Sequence, residues 1–207
     1  RFLHQLFKDI RKVDEPLKLM GEMQAVTSSI QDVGLNFPSY PQDIEDGLNA
    51  LSTDDEFRAF YEANNRRMTI NNGSEATNEE IPARCAISLW QNIEAEADAA
   101  LASEKSSATL RFGHDTALYR LLSLLFDVTL PPAGAREEEA SVVLGDEVDK
   151  MDRVVPMAAN LQMIFYKNPQ DSVLVKFMLN ERDIKISPVG QVIYGTRYYS
   201  WNSWKQE

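Results

Sequence analysis

The chain is 207 residues long, 43% hydrophobic and 26% charged, and carries a formal net charge of −11. That length suits one large domain or two small ones, with enough apolar side chains to fill a core. The acidic balance excludes nucleic acid as an expected partner, because a phosphate backbone needs a basic stripe. No apolar run approaches the roughly 20 residues that a bilayer span requires.

A small phosphorylated ligand is compatible with this charge, since a few local positive groups outweigh a distant negative surface. The single cysteine, Cys85, rules out an internal disulfide framework, and its place in an apolar-periodic stretch predicts a buried thiol.

Arg1–Lys12 (RFLHQLFKDIRK) has Phe2, Leu3, Leu6, Phe7 and Ile10 at helical spacing, which predicts one amphipathic helix. A domain that opens inside such a pattern, with no signal-like segment, is expected to be part of a longer protein. A second helix is predicted from Pro16 through Leu19, Met20, Met23 and Val26, with a loop at Gly34–Pro41 (GLNFPSYP). A third starts near Ser52–Asp55, carries Phe57, Phe60 and Tyr61, and ends on the turn chemistry of Asn71-Asn72-Gly73-Ser74. A long helix is predicted over Glu79–Ser103, with Ile81, Cys85, Leu89, Ile93 and Ala97 every four residues.

The pattern changes after Glu104. Ala108–Phe112 predicts a short strand, Gly113–Asp115 a turn, and Thr116–Phe126 (TALYRLLSLLF) an apolar helix. Pro131–Asp149 is acidic and aperiodic, and is expected to be a loop. Ala159–Tyr166 (ANLQMIFY) and Ser172–Leu179 (SVLVKFML), joined by Lys167–Asp171, predict a β-hairpin. Tyr198, Tyr199, Trp201 and Trp204 predict an aromatic-packed tail ending on a short helix.

The arrangement with chemical content is Arg111-Phe112-Gly113-His114-Asp115-Thr116. A strand that reaches a glycine turn and passes at once into a helix gathers free backbone N–H groups where His114 and Asp115 project. A histidine there can donate to a phosphate oxygen, and an aspartate beside it can protonate an alkoxide leaving group. The same residues serve a plainer purpose equally well: Asp115 is a natural N-cap, worth about 1 kcal/mol, and His114 a turn residue.

The segment ATLRFGHDTALYRLLSLLFDV resembles the C-terminal active-site motif of the histidine acid phosphatases, the larger branch of the histidine phosphatase superfamily. Val155–Tyr166 (VPMAANLQMIFY) resembles the strand that follows it in the bacterial multiple inositol polyphosphate phosphatase, or phytase-like, subgroup, and residues 1–104 are similar to that subgroup's helical insertion. The resemblance implies an α/β fold. Residues 105–207 would form the C-terminal part of a phosphoglycerate-mutase-like catalytic domain, and residues 1–104 a mostly helical cap. It implies hydrolysis of phosphomonoesters, including inositol polyphosphates, through a phosphohistidine and without a cofactor. It also implies export to a periplasm or the cell exterior. His114 would contact phosphate, Asp115 would donate the proton and Thr116 would line the pocket.

The family's Arg-His-Gly-x-Arg motif, which supplies the nucleophile and two phosphate-binding arginines, has no match here. The two histidines are His4 and His114, and His4 is followed by Gln5 and Leu6. The missing motif is therefore expected on an upstream segment of the same protein. The rival reading is a non-catalytic phosphate-binding or interaction module. No histidine, cysteine and carboxylate set has metal-ligand spacing. Glu137–Glu139 reads as a solvated loop, Arg66-Arg67 as a solvated helix end, and Trp201 and Trp204 as packing.

Overall fold

The structure, a computed structural model, describes residues 2–36, 46–47, 50–73, 79–103, 105–125, 154–184 and 198–205. The chain divides into two compact units, 1–64 and 65–207.

In the first unit, α1 covers Phe2–Leu6, a 3₁₀ turn covers Ile10–Lys12, and α2 covers Pro16–Asn36. The single helix expected over residues 1–12 is broken. The Asp9 carboxylate accepts the Arg11 backbone N–H at 3.2 Å and the Arg11 Nε–H at 2.8 Å, which offers the backbone a local alternative to continuing the helix. Leu3 is the buried apolar side chain of α1. Gly34, Leu35 and Asn36, expected in a loop, belong to α2, and the remainder of that predicted loop lies outside the described residues. Helix α3, Asp54–Asn72, begins on a reciprocal cap: Thr53 Oγ1 accepts from Glu56 N at 3.3 Å, and Glu56 Oε2 accepts from Thr53 N at 2.9 Å. It closes at Gly73, where a Cβ would sit 2.8 Å from the Thr69 carbonyl oxygen.

The second unit takes in the end of α3 and combines helices with an antiparallel sheet. The helix expected over Glu79–Ser103 is split into α4, Ile81–Arg84, and α5, Ile87–Leu101. Glu79 and Glu80 hold positive φ angles of 52° and 58°, so regular helix cannot begin before Ile81. The buried positions of α4 and the turn after it are Ala83 and Ala86, so the Ile81–Cys85 stripe faces outward. Cys85, expected to be buried, is exposed.

Helix α6, Asp115–Leu125, follows as expected to within one residue and buries Tyr119, Leu121 and Leu122. Pro131–Asp149 lies outside the described residues. Strands β1, Leu161–Lys167, and β2, Val173–Leu179, form the predicted hairpin. Its connection is shaped by Asn168, whose Oδ1 accepts from Gln170 N at 3.0 Å and Ser172 N at 2.8 Å, with Asp171 at φ 61°. β2 is itself central, pairing antiparallel with β1, with the short β3 (Arg182–Asp183) and with β4 (Tyr198–Ser200). The architecture is thus mixed helix and antiparallel sheet.

The period-two alternation of the strands divides the sheet. Val175, Phe177 and Leu179 of β2 are buried and register with Phe165, Met163 and Leu161 of β1, and Val175 also with Tyr199 of β4. The opposite face carries Gln162, Ile164, Leu174, Lys176 and Met178, with Lys176 paired to Asp183 at 2.7 Å. Phe177 is 0% exposed, with Trp204 and Tyr199 ring centroids at 5.0 and 6.0 Å. Phe177→Ala should therefore lower unfolding stability by about 3–5 kcal/mol, read as a fall in the urea midpoint.

The tail is secured to α5. The closing helix α7, Trp201–Trp204, is capped by Ser200 and buries both tryptophans. Trp201 Nε1–H donates to Asp98 Oδ1 at 2.7 Å, and Lys205 Nζ meets the two Asp98 oxygens at 2.9 and 2.8 Å. The Lys205 ammonium, and then the Trp201 indole, hold the Asp98 carboxyl below its ordinary value, whereas burial pushes Glu94 up. A depressed carboxyl contributes stability that is fully present above its ordinary value near 3.8 and is lost as pH falls through the lower folded value. Asp98→Asn should therefore be less stable than the parent at pH 7, and the gap should close in strong acid. Thermal denaturation followed by circular dichroism between pH 7 and pH 2 tests this, and a pH-independent gap would rule out the carboxylate as its source.

Candidate functional site

The residues singled out in the sequence lie at the start of α6. The His114 carbonyl accepts from Ala117 N at 3.1 Å and Leu118 N at 3.3 Å. His114 is thus the capping position by its backbone, and Asp115, expected there, is the first helical residue. The Asp115 carboxylate turns back on the next peptide, with Oδ1 accepting Thr116 N–H at 2.7 Å. His114 and Asp115 are both exposed, and Thr116 is half-buried. Among the described residues, His114 is thus not buried against the apolar helix Leu118–Leu125. The first turn of α6 carries the acidic Asp115, which already occupies one of the free amides there.

The strand expected to lead into this site is not formed. Residues 106–113 are neither helix nor strand, and they make no backbone–backbone hydrogen bond among the described residues. Leu110 is 77% and Phe112 93% exposed. A strand needs a partner for its ladder, and β propensity alone does not hold one in water. What anchors the segment is Arg111: Nη2 donates to Asn92 Oδ1 at 2.6 Å and meets Glu96 Oε2 at 3.0 Å. Asn92 and Glu96 are one turn apart on α5, so Arg111 is tied to that helix and its charge is met by the Glu96 carboxylate.

A second arginine escaped the sequence reading. Arg120, on α6, is half-buried, with Nε and Nη2 donating to Asn72 Oδ1 at 3.1 and 2.8 Å. The signal available in the sequence was a lone cation inside an apolar run, Leu118-Tyr119-Arg120-Leu121-Leu122. Arg66, on α3, is exposed. Glu137–Glu139 lie outside the described residues. Among the described residues, no three His, Cys, Asp or Glu side chains are grouped to hold a metal ion, and no helix is long and apolar enough to cross a membrane.

Compared with known proteins, the chain matches no protein-family model, and no curated protein is significantly similar to it.

Proposed function

We propose that this chain is the phosphate-binding and proton-donating part of a phosphomonoesterase of the histidine acid phosphatase type, acting on phosphorylated small molecules such as inositol polyphosphates. The observation that carries the reading is the consecutive His114-Asp115-Thr116 at the mouth of α6, with His114 and Asp115 open to solvent. In this reading His114 donates to a non-bridging phosphate oxygen, Asp115 protonates the leaving alkoxide, and Thr116 lines the pocket. The order of that motif before Ala159-Asn160-Leu161-Gln162 supports it. The nucleophilic histidine and its arginines would come from an upstream segment of the same protein, and the complete protein would act in a periplasm or outside the cell. The α/β catalytic domain would be completed by that segment, with residues 1–104 as its helical cap.

The test is hydrolysis of p-nitrophenyl phosphate by the protein with the sequence upstream of Arg1 restored. An Arg-His-Gly-x-Arg motif there and turnover that falls in His114→Ala are the expected results. Turnover unchanged in His114→Ala would remove this residue from the site. One observation favours the second reading, a binding module without chemistry: Leu110 and Phe112, exposed on a segment that pairs with no strand among the described residues, suit a protein contact. A translation start near Arg1 would decide for it.

A further inference from the structure

Among the described residues, the charge of Arg120 has no counter-ion. Among the described residues two cationic side chains are half-buried by residue exposure, Lys176 and Arg120. Lys176 is matched by the Asp183 carboxylate at 2.7 Å. Arg120 is matched by a neutral oxygen alone, since both its hydrogen bonds end on Asn72 Oδ1. A partly desolvated guanidinium is normally paired with an anion. The C-terminal end of α3, where Asn72 lies, offers a partial negative charge at best, equivalent to about half an elementary charge.

The side chain is nevertheless held in place. Asn72 is 4% exposed, and its Nδ2 donates to the Met68 carbonyl at 3.2 Å, which fixes the amide so that its oxygen faces Arg120. Asn72 therefore orients the guanidinium without neutralising it. Of the five N–H donors of an arginine, two are spent on Asn72, which leaves three for another acceptor. Thr116 lies four residues earlier, on the same flank of α6. The Thr116 hydroxyl makes no hydrogen bond among the described residues.

We infer that Arg120, oriented by Asn72 and flanked by the Thr116 hydroxyl, is a binding site for a tetrahedral oxyanion of the phosphate type. A planar fork with paired donors takes two oxygens of such an anion at once. The site stands on Arg120 and Asn72 and does not depend on His114 or Asp115 doing chemistry.

The experiment is calorimetric titration of the full chain with inorganic phosphate, with acetate as the planar comparison. Arg120→Ala should weaken phosphate binding about tenfold or more, the usual consequence of losing charge-assisted hydrogen bonds. Asn72→Asp places a carboxylate on the same guanidinium and should weaken binding comparably while Arg120 is still present. Far-UV circular dichroism shows that each variant is folded, and the second keeps the test decisive if the first is not. Phosphate affinity unchanged in folded Asn72→Asp overturns the site, as does acetate binding as tight as phosphate. Binding lost in His114→Ala and retained in Arg120→Ala also overturns it, while leaving the hydrolytic reading of His114 intact.

Discussion

Purified alone, the 207-residue chain should leave p-nitrophenyl phosphate unhydrolysed at acidic pH. The proposed chemistry starts with an imidazole nitrogen attacking phosphorus, and its geometry needs a histidine flanked by phosphate-binding arginines. His4 is followed by Gln5 and Leu6, and His114 is preceded by Arg111, whose guanidinium is held by Asn92 and Glu96. Nucleophile and arginines act as one unit, so a chain without them should lose nearly all of the rate enhancement. A sensitive assay over hours, with buffer as reference, measures this. Turnover that disappears in His114→Ala would make His114 the nucleophile and reverse the roles proposed above.

The second large effect concerns Asp115 in the protein with its upstream segment restored. If Asp115 gives its proton to the departing alkoxide, Asp115→Asn should slow hydrolysis of an alkyl phosphate by about 10²–10⁴-fold, the usual worth of a general acid. A p-nitrophenolate leaving group needs little protonation, so its loss should be far smaller. The contrast separates two roles for one carboxylate. In the structure Asp115 Oδ1 accepts the Thr116 amide, an interaction that asparagine can reproduce with its own oxygen. Equal losses for both substrates would therefore assign Asp115 to holding the helix start or the phosphate.

What was legible in the sequence was what local chemistry decides. The hairpin declared itself through alternating apolar residues on either side of Asn168-Pro169-Gln170-Asp171, and α6 through its apolar run after a glycine turn. The start of α3 was written in Thr53 and Glu56. Part of what failed depended on partners far along the chain. Ala108–Phe112 has strand composition, but nothing among the described residues pairs with it. The pairing of β4 with β2 and the hold of Asp98 on Trp201, 103 residues away, leave no periodic trace. Cys85 is exposed because the stripe at intervals of four that carries it faces outward there, and the buried positions are filled by Ala83 and Ala86. Of the candidate site, the order His114-Asp115-Thr116 could be read directly. The engagement of Arg111 with Asn92 and of Arg120 with Asn72 could not, since each is defined by a residue on another helix.

The placement of the indoles has a practical consequence. The chain has three tryptophans, Trp90, Trp201 and Trp204, and all of them belong to the unit 65–207. Trp90 and Trp201 meet edge to face at 6.1 Å, and Trp204 lies against Phe177. Intrinsic emission excited at the red edge therefore comes from the unit 65–207 alone. An unfolding curve recorded that way follows the sheet and the helices packed on it, while far-UV ellipticity also sees α1 and α2. Superimposable curves would mean that the two units melt together, and separated ones that the first unit has a stability of its own.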